Sequence, residues 1–400
     1  MSQAFRRLWF AQALSFVGTE IAYIALSYQV YALTGSTAIV GLLALVELIP
    51  LLTMTLVGGT LADAVDRRRL MLWQQLGMMA ASAGLLANAL RAQPQVWVCF
   101  LCAFVAVSTF SLGVGAQRSM TPRLVPNELY PAASNLDNLI SNLGAVAGPA
   151  LAGGLIATVG LRWAYGVDVA TFAAPLAAVW LLPTLRPEGG GERASLRSLA
   201  EGLRYVRSQR VILGFFLIDT NAMIFGMPTA LFPALATHRF HDPSLLGYLY
   251  SATYAGAFVA SAFGGWVNHV RRQGLAVVLA AAAWGAAIVA FGFAEQLWLA
   301  LVLLALAGGA DLVSAVFRDT MLMRLTPDNL RGRVVGIEFA QVASAPAVGN
   351  LEAGVLASLT SLRFSVVSGG IFCVLGCGLL ALAFPALMRY DSRAREPAPA

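Results

Sequence analysis

Long apolar runs recur along the whole chain, broken by short polar connections rich in arginine, glycine and proline. The pattern predicts twelve segments, at 8–33, 37–61, 70–91, 95–117, 132–158, 162–184, 211–237, 244–268, 274–294, 297–321, 334–360 and 364–388. Each is long enough to cross a bilayer core as a helix, which takes about 20 residues. Helix is the required form, because lipid offers backbone N–H and C=O groups no outside partner.

The pattern also repeats. Arg123-Leu-Val-Pro126-Asn-Glu-Leu129 falls on Arg324-Leu-Thr-Pro327-Asp-Asn-Leu330 with an offset of 201 residues. The same offset carries Asp137 onto Glu338, Gly148 onto Gly349 and Gly153 onto Gly354. A chain this apolar that repeats across its midpoint reads as a two-halved membrane transporter. The expected organisation is an N-terminal six-helix bundle over residues 1–185, a cytoplasmic linker over 186–210 and a C-terminal six-helix bundle over 211–400. In the linker, Pro187 and Gly189–Gly191 precede Leu196, Leu199, Leu203 and Val206 at helical spacing between arginines. That predicts an amphipathic helix on the inner leaflet, either a brace between the halves or a basic segment held by anionic lipid.

Composition agrees. Hydrophobic residues make up 58% of the chain and charged residues 12%, against about 25% charged in a soluble domain. All 26 basic residues are arginine, which excludes a lysine-dependent phosphate loop and Schiff-base chemistry. If the N-terminus is cytoplasmic, 22 of the 26 arginines lie on the inner side. Only Arg91, Arg162, Arg239 and Arg363 lie outside, a strong positive-inside bias that places both termini inside. The positive net charge is thus topological, and no nucleic-acid partner is expected. Cys99, Cys102, Cys373 and Cys377 lie in apolar helices away from histidine and read as small buried thiols. His238 and His241 offer too few ligands for a metal site.

Several motifs carry a family resemblance. Gly58-Gly59-Thr-Leu61-Ala-Asp63-Ala-Val-Asp66-Arg67-Arg68-Arg69 is similar to the signature of the major facilitator superfamily, with Ala64 and Asp66 departing from it. Gly264-Gly265-Trp-Val-Asn268-His269-Val-Arg271-Arg272 is a worn second copy. Gly144-Ala-Val-Ala-Gly148-Pro149 followed by Gly153 resembles the glycine-proline motif of the superfamily's antiporters; ordinary small-residue packing is the other reading. Gln117–Leu129, Asp219–Leu235 and the stretch around Asp168 resemble bacterial exporters grouped with the enterobactin exporter, a drug-efflux branch.

The resemblance implies an all-α membrane protein whose twelve transmembrane helices form two pseudo-twofold-related six-helix bundles, rocking about a midplane cavity. Spans one, four, seven and ten would line that cavity. Carboxylates within spans are the expected sites of proton coupling, because burial of such a group is costly unless it has a function. Glu20 and Asp311 lead, with Asp219, Asn221, Tyr23 and Phe225 as further cavity residues. Asp63, Arg67, Arg68, Arg118, Asp137, Arg318, Asp319 and Glu338 are the expected gating charges, and the adjacent Arg318 and Asp319 suggest a salt-bridge gate. Glu47, Glu338 and Glu352 read as gate or packing partners of Arg67 or Arg118.

The implied function is proton-driven export of a small amphipathic organic molecule, such as a siderophore or drug, across the bacterial inner membrane. Protons and membrane lipids would be the other partners. No cofactor is implied, no enzyme activity is expected, and the chain is expected to work as a monomer. A proton-coupled importer of a small metabolite with the same fold is the alternative.

Overall fold

The structure is a computed structural model describing residues 3–118, 120, 125–182, 196–263, 265 and 269–392. Among the described residues there is no strand. Among those residues ten helical stretches are long and apolar enough to cross a membrane. The N-terminal ones are built on α1 (Gln3–Thr34), α2 (Thr37–Ala64), α3 (Arg67–Ala89), α4 (Val96–Arg118) and α5 (Tyr130–Thr158). The expected span at 162–184 is instead two helices, α6 (Leu161–Thr171) and α7 (Ala173–Trp180), meeting at Phe172. The linker helix α8 (Leu196–Ser208) leads into α9 (Arg210–Phe225). The expected span at 244–268 is α10 (Leu245–Ala262), diluted by Tyr248, Tyr250, Tyr254, Ser251 and Ser261. There follow α11 (Gln273–Phe293), α12 (Leu297–Leu325), α13 (Asp328–Leu359) and α14 (Leu362–Ala383).

The surface identifies the solvent. Leu359 and Leu382 are 78% and 80% exposed, a pattern that water would penalise and lipid accepts. Trp97 and Trp298, each the second residue of its helix, stand exposed at the starts of α4 and α12. Tryptophan is favoured at the membrane–water interface.

Contacts group the chain into two compact units. The first comprises Met1–Ala194 with Ala230–Ser251. In it α1 packs on α5 and α6, α2 on α4, and α3 on α4 and α6. Leu8, Leu70, Met71, Ala116, Met120, Val179 and Leu182 form a buried cluster. Asp66, a departure from the superfamily signature, caps α3 by accepting from the Arg68 backbone N–H at 2.9 Å. The Arg68 guanidinium donates to the Trp180 carbonyl at 2.5 Å and lies 5.7 Å from that indole's centroid. The glycines of α5 meet the first turns of α10 at backbone contact. A methyl group at Gly247 would collide with the Pro149 carbonyl, and one at Gly153 with the Ser244 carbonyl. The Ser251 hydroxyl donates to the Val146 carbonyl at 2.7 Å. Small residues are what allow so close a crossing.

The second unit comprises Ser195–Thr229 with Ala252–Ala400. In it α11 packs on α12 and α14, and α9 on α13 and α14. The linker helix α8 is tied to protein along one edge. Val206 is buried, Gly202 abuts Arg333 and Ile337, and Glu201 pairs with Arg333 at 2.8 Å. The Tyr205 hydroxyl donates to the Leu325 carbonyl. Leu203 remains 46% exposed, so α8 keeps an outward apolar edge as well.

Candidate functional site: an acidic cavity inside the first unit

A cavity of about 300 Å³ lies among α1, α2, α3, α4 and α6. Helical spacing builds its walls. Gln12, Ser15, Thr19, Tyr23 and Leu26 form one stripe of α1, and Gln75, Met78, Ser82 and Leu85 one stripe of α3. Aromatic surface comes from Phe16, Tyr23, Phe110 and Phe172.

Among the described residues, every charged side chain on these walls is acidic: Glu20, Glu47 and Asp168. Asp168 is 1% exposed and accepts from the Ser82 hydroxyl at 2.5 Å, with the Thr19 hydroxyl also in reach. Among the described residues its Oδ1 has no hydrogen-bond partner. The Oε1 atoms of buried Gln74 and Gln75 have none either. Glu20 packs on Gly148 of α5, where any side chain would collide with its Cβ. A buried acceptor left unmatched costs about 1–3 kcal/mol, and an unmatched carboxylate more. The cavity therefore favours whatever brings protons or positive charge.

In the second unit one buried carboxylate, Asp219, is held by a fixed partner. Arg318 of α12 forms an ion pair with Asp219 of α9, both well buried, and the other Asp219 oxygen accepts from Gln341 at 2.7 Å. Asp319 and Glu338 also lie close enough to act on the Arg318 charge. Arg318, expected with Asp319 in a salt-bridge gate, thus takes its ion pair from Asp219 on another helix. Asp311, midway along α12, makes no hydrogen bond or ion pair with a described residue.

The remaining expected residues are dispersed. Tyr23 joins Glu20 at the cavity. Asn221 turns to α14, donating to the Cys373 carbonyl at 2.9 Å, and Phe225 meets the Phe372 ring at 5.8 Å. Arg67 opens α3, and Asp137 is half-buried on α5. Gly144 packs against Phe16. The side chains of Asp63 and Arg118 lie outside the described residues. Sequence reasoning assigned no cavity role to Glu47, Asp168, Gln74 or Gln75. The available signal was a neighbouring pair of glutamines within α3, one of the least apolar spans. Among the described residues no group of three or more His, Cys, Asp or Glu could hold a metal ion.

The family pattern described as transmembrane secretion effector matches residues 1–400. The chain belongs to that family, within the major facilitator superfamily. Enterobactin exporter EntS of Shigella boydii is 31% identical over 388 residues, covering 97% of this chain and 93% of that protein. The EntS of Citrobacter koseri is 31% identical over 397 residues, covering 99% and 94%. Among solved structures, a peptide transporter POT superposes with a TM-score of 0.76 at 12% identity, covering 97% of this chain and 96% of that one. A bacterial homolog of the human lysosomal transporter Spinster, inward-facing and unoccupied, gives 0.75 at 14% identity, covering 98% and 100%. The fold is the major facilitator fold. This transmembrane secretion effector is a multi-pass membrane transporter and not an enzyme.

Proposed function

We propose that this protein exports a small amphipathic organic molecule, a siderophore-like compound or a drug, in exchange for protons. It works as a monomer in the bacterial inner membrane, with both termini cytoplasmic, by alternating access of two six-helix bundles. The observation that carries this reading is the first unit's cavity, where Glu20, Glu47 and Asp168 line mainly apolar walls with no arginine or histidine among the described lining residues. Carboxylates so placed are not held ionised by a fixed partner, so their charge is available for exchange. Protons entering from one side and leaving to the other would neutralise and recharge them in turn. The arginine asymmetry of the sequence supports the orientation. Relatives named as exporters support the direction.

The test uses inverted membrane vesicles with an imposed pH gradient, screened against siderophores, dyes and antibiotics. Gradient-dependent accumulation of one class, lost in E20Q, is the expected result. Accumulation that ignores the gradient, or that E20Q leaves at wild-type rate, would refute proton coupling through this cavity.

A further inference from the structure

We infer that the exposed edge of the linker helix α8 binds the headgroups of anionic membrane phospholipids. This contact is independent of what the protein carries.

Helical spacing gives α8 two edges. Gly202, Tyr205 and Val206 turn toward protein, where Gly202 meets Arg333 and Ile337 and the Tyr205 hydroxyl reaches the Leu325 carbonyl. Ala200, Leu203, Arg204 and Arg207 recur at i, i+3, i+4 and i+7, and all four are exposed. Arg210, exposed as well, opens α9 two residues after α8 ends.

The neighbours of α8 set its depth. A candidate span begins with α9 at Arg210, another ends with α12 at Leu325, and a third begins with α13 at Asp328. The linker helix runs into the first, touches the end of the second through Tyr205 and the opening turns of the third through Gly202. It therefore lies at the level where hydrocarbon gives way to headgroups. Leu203, 46% exposed between arginines, suits that boundary.

Charge selects the partner. Glu201, the one acid within α8, is engaged by Arg333 at 2.8 Å. Arg204, Arg207 and Arg210 form no ion pair with a described residue. Three guanidinium groups within two helical turns thus face outward uncompensated. They stay charged at every physiological pH and match phosphate oxygens bidentately. The ties to Leu325 and Arg333 hold α8 with this edge outward, so little ordering is left for the lipid to impose. An arginine near an anionic leaflet gains about fivefold in affinity.

The test is native mass spectrometry of the full-length protein released from micelles doped with phosphatidylglycerol or phosphatidylcholine. Phosphatidylglycerol should be retained about tenfold more tightly than phosphatidylcholine. The triple variant R204Q/R207Q/R210Q should weaken phosphatidylglycerol at its tightest site by about tenfold or more. R91Q/R162Q, which removes two exposed arginines elsewhere, should change it less than about twofold. A200R adds a fourth guanidinium to the same edge and should tighten phosphatidylglycerol by up to about fivefold; it tests the edge if the triple variant does not fold. Equal retention of the two lipids, wild-type retention by the triple variant, or no gain in A200R would overturn the inference. So would an equal loss in R91Q/R162Q, which would reduce the contact to unspecific charge. A dimer in the wild-type spectrum that the triple variant lacks would assign the edge to a second copy of the chain and overturn it too.

Discussion

Glu20, Glu47 and Asp168 in the first unit and Asp219 in the second all lie within apolar helices, yet among the described residues only Asp219 has an arginine. The difference separates two uses of buried charge. Asp219 is fixed by Arg318 and Gln341, and a pair so satisfied is a structural tie whose removal leaves one partner stranded. The cavity carboxylates have no such tie among the described residues, Asp168 having only hydroxyl partners, and the proposed exchange uses that freedom. Under the proposed coupling, the candidates are buried carboxylates without a fixed counter-charge, a description that Asp311 of the second unit also meets.

The largest test of the contrast is Arg318→Met. It should lower the stability of the purified protein by about 3–5 kcal/mol, because Asp219 would be left buried and unpaired. Thermal unfolding measures this, and D219N in the same chain should recover most of the loss. E47Q, by contrast, should leave the unfolding midpoint unchanged or raise it, since an amide is easier to bury than a carboxylate. A loss in E47Q as large as in R318M would erase the distinction between the two regions.

Within the first unit, stability should depend on backbone contact more than on the carboxylates. Gly247→Ala drives a methyl group into the Pro149 carbonyl. Overpacking of this kind costs about 1–3 kcal/mol, and the same unfolding assay should rank G247A well below E47Q. The smallest effect belongs to Asp66→Ala, which removes the cap of α3 and should cost about 1 kcal/mol. An unchanged midpoint in D66A would mean that α3 begins without that hydrogen bond.

Much of the fold was legible because lipid imposes simple rules. Apolar runs of spanning length became α1 to α5 and α10 to α14 with ends near those expected, whereas the run expected at 211–237 breaks at Gly226, where α9 ends, and resumes as short helical turns from Thr229 to Arg239. The break at Phe172 was not legible, since 162–184 reads as one uninterrupted apolar run. Of the cavity, Glu20 was legible as a charge in an apolar helix. Gln74 and Gln75 were not, because amides are common in helices and only the fold shows their oxygens unmatched. The Arg318–Asp219 pair was hidden for a geometric reason. The partner of Arg318 lies on α9, about a hundred positions earlier, a contact made by tertiary packing that no local spacing announces. Gly153 was read as a packing residue, but its neighbours Ser244 and Gly247 follow from tertiary contact that one sequence does not reveal.

Proton movement in proteoliposomes tests the central claim most directly. With a pH-sensitive dye trapped in the lumen, a gradient of an exported compound in the transport direction should drive protons the opposite way through the wild-type protein. Glu20→Gln should still exchange labelled for unlabelled compound but move no protons. Substrate movement without proton movement in the wild type, or proton movement at wild-type rate through E20Q, would contradict the account.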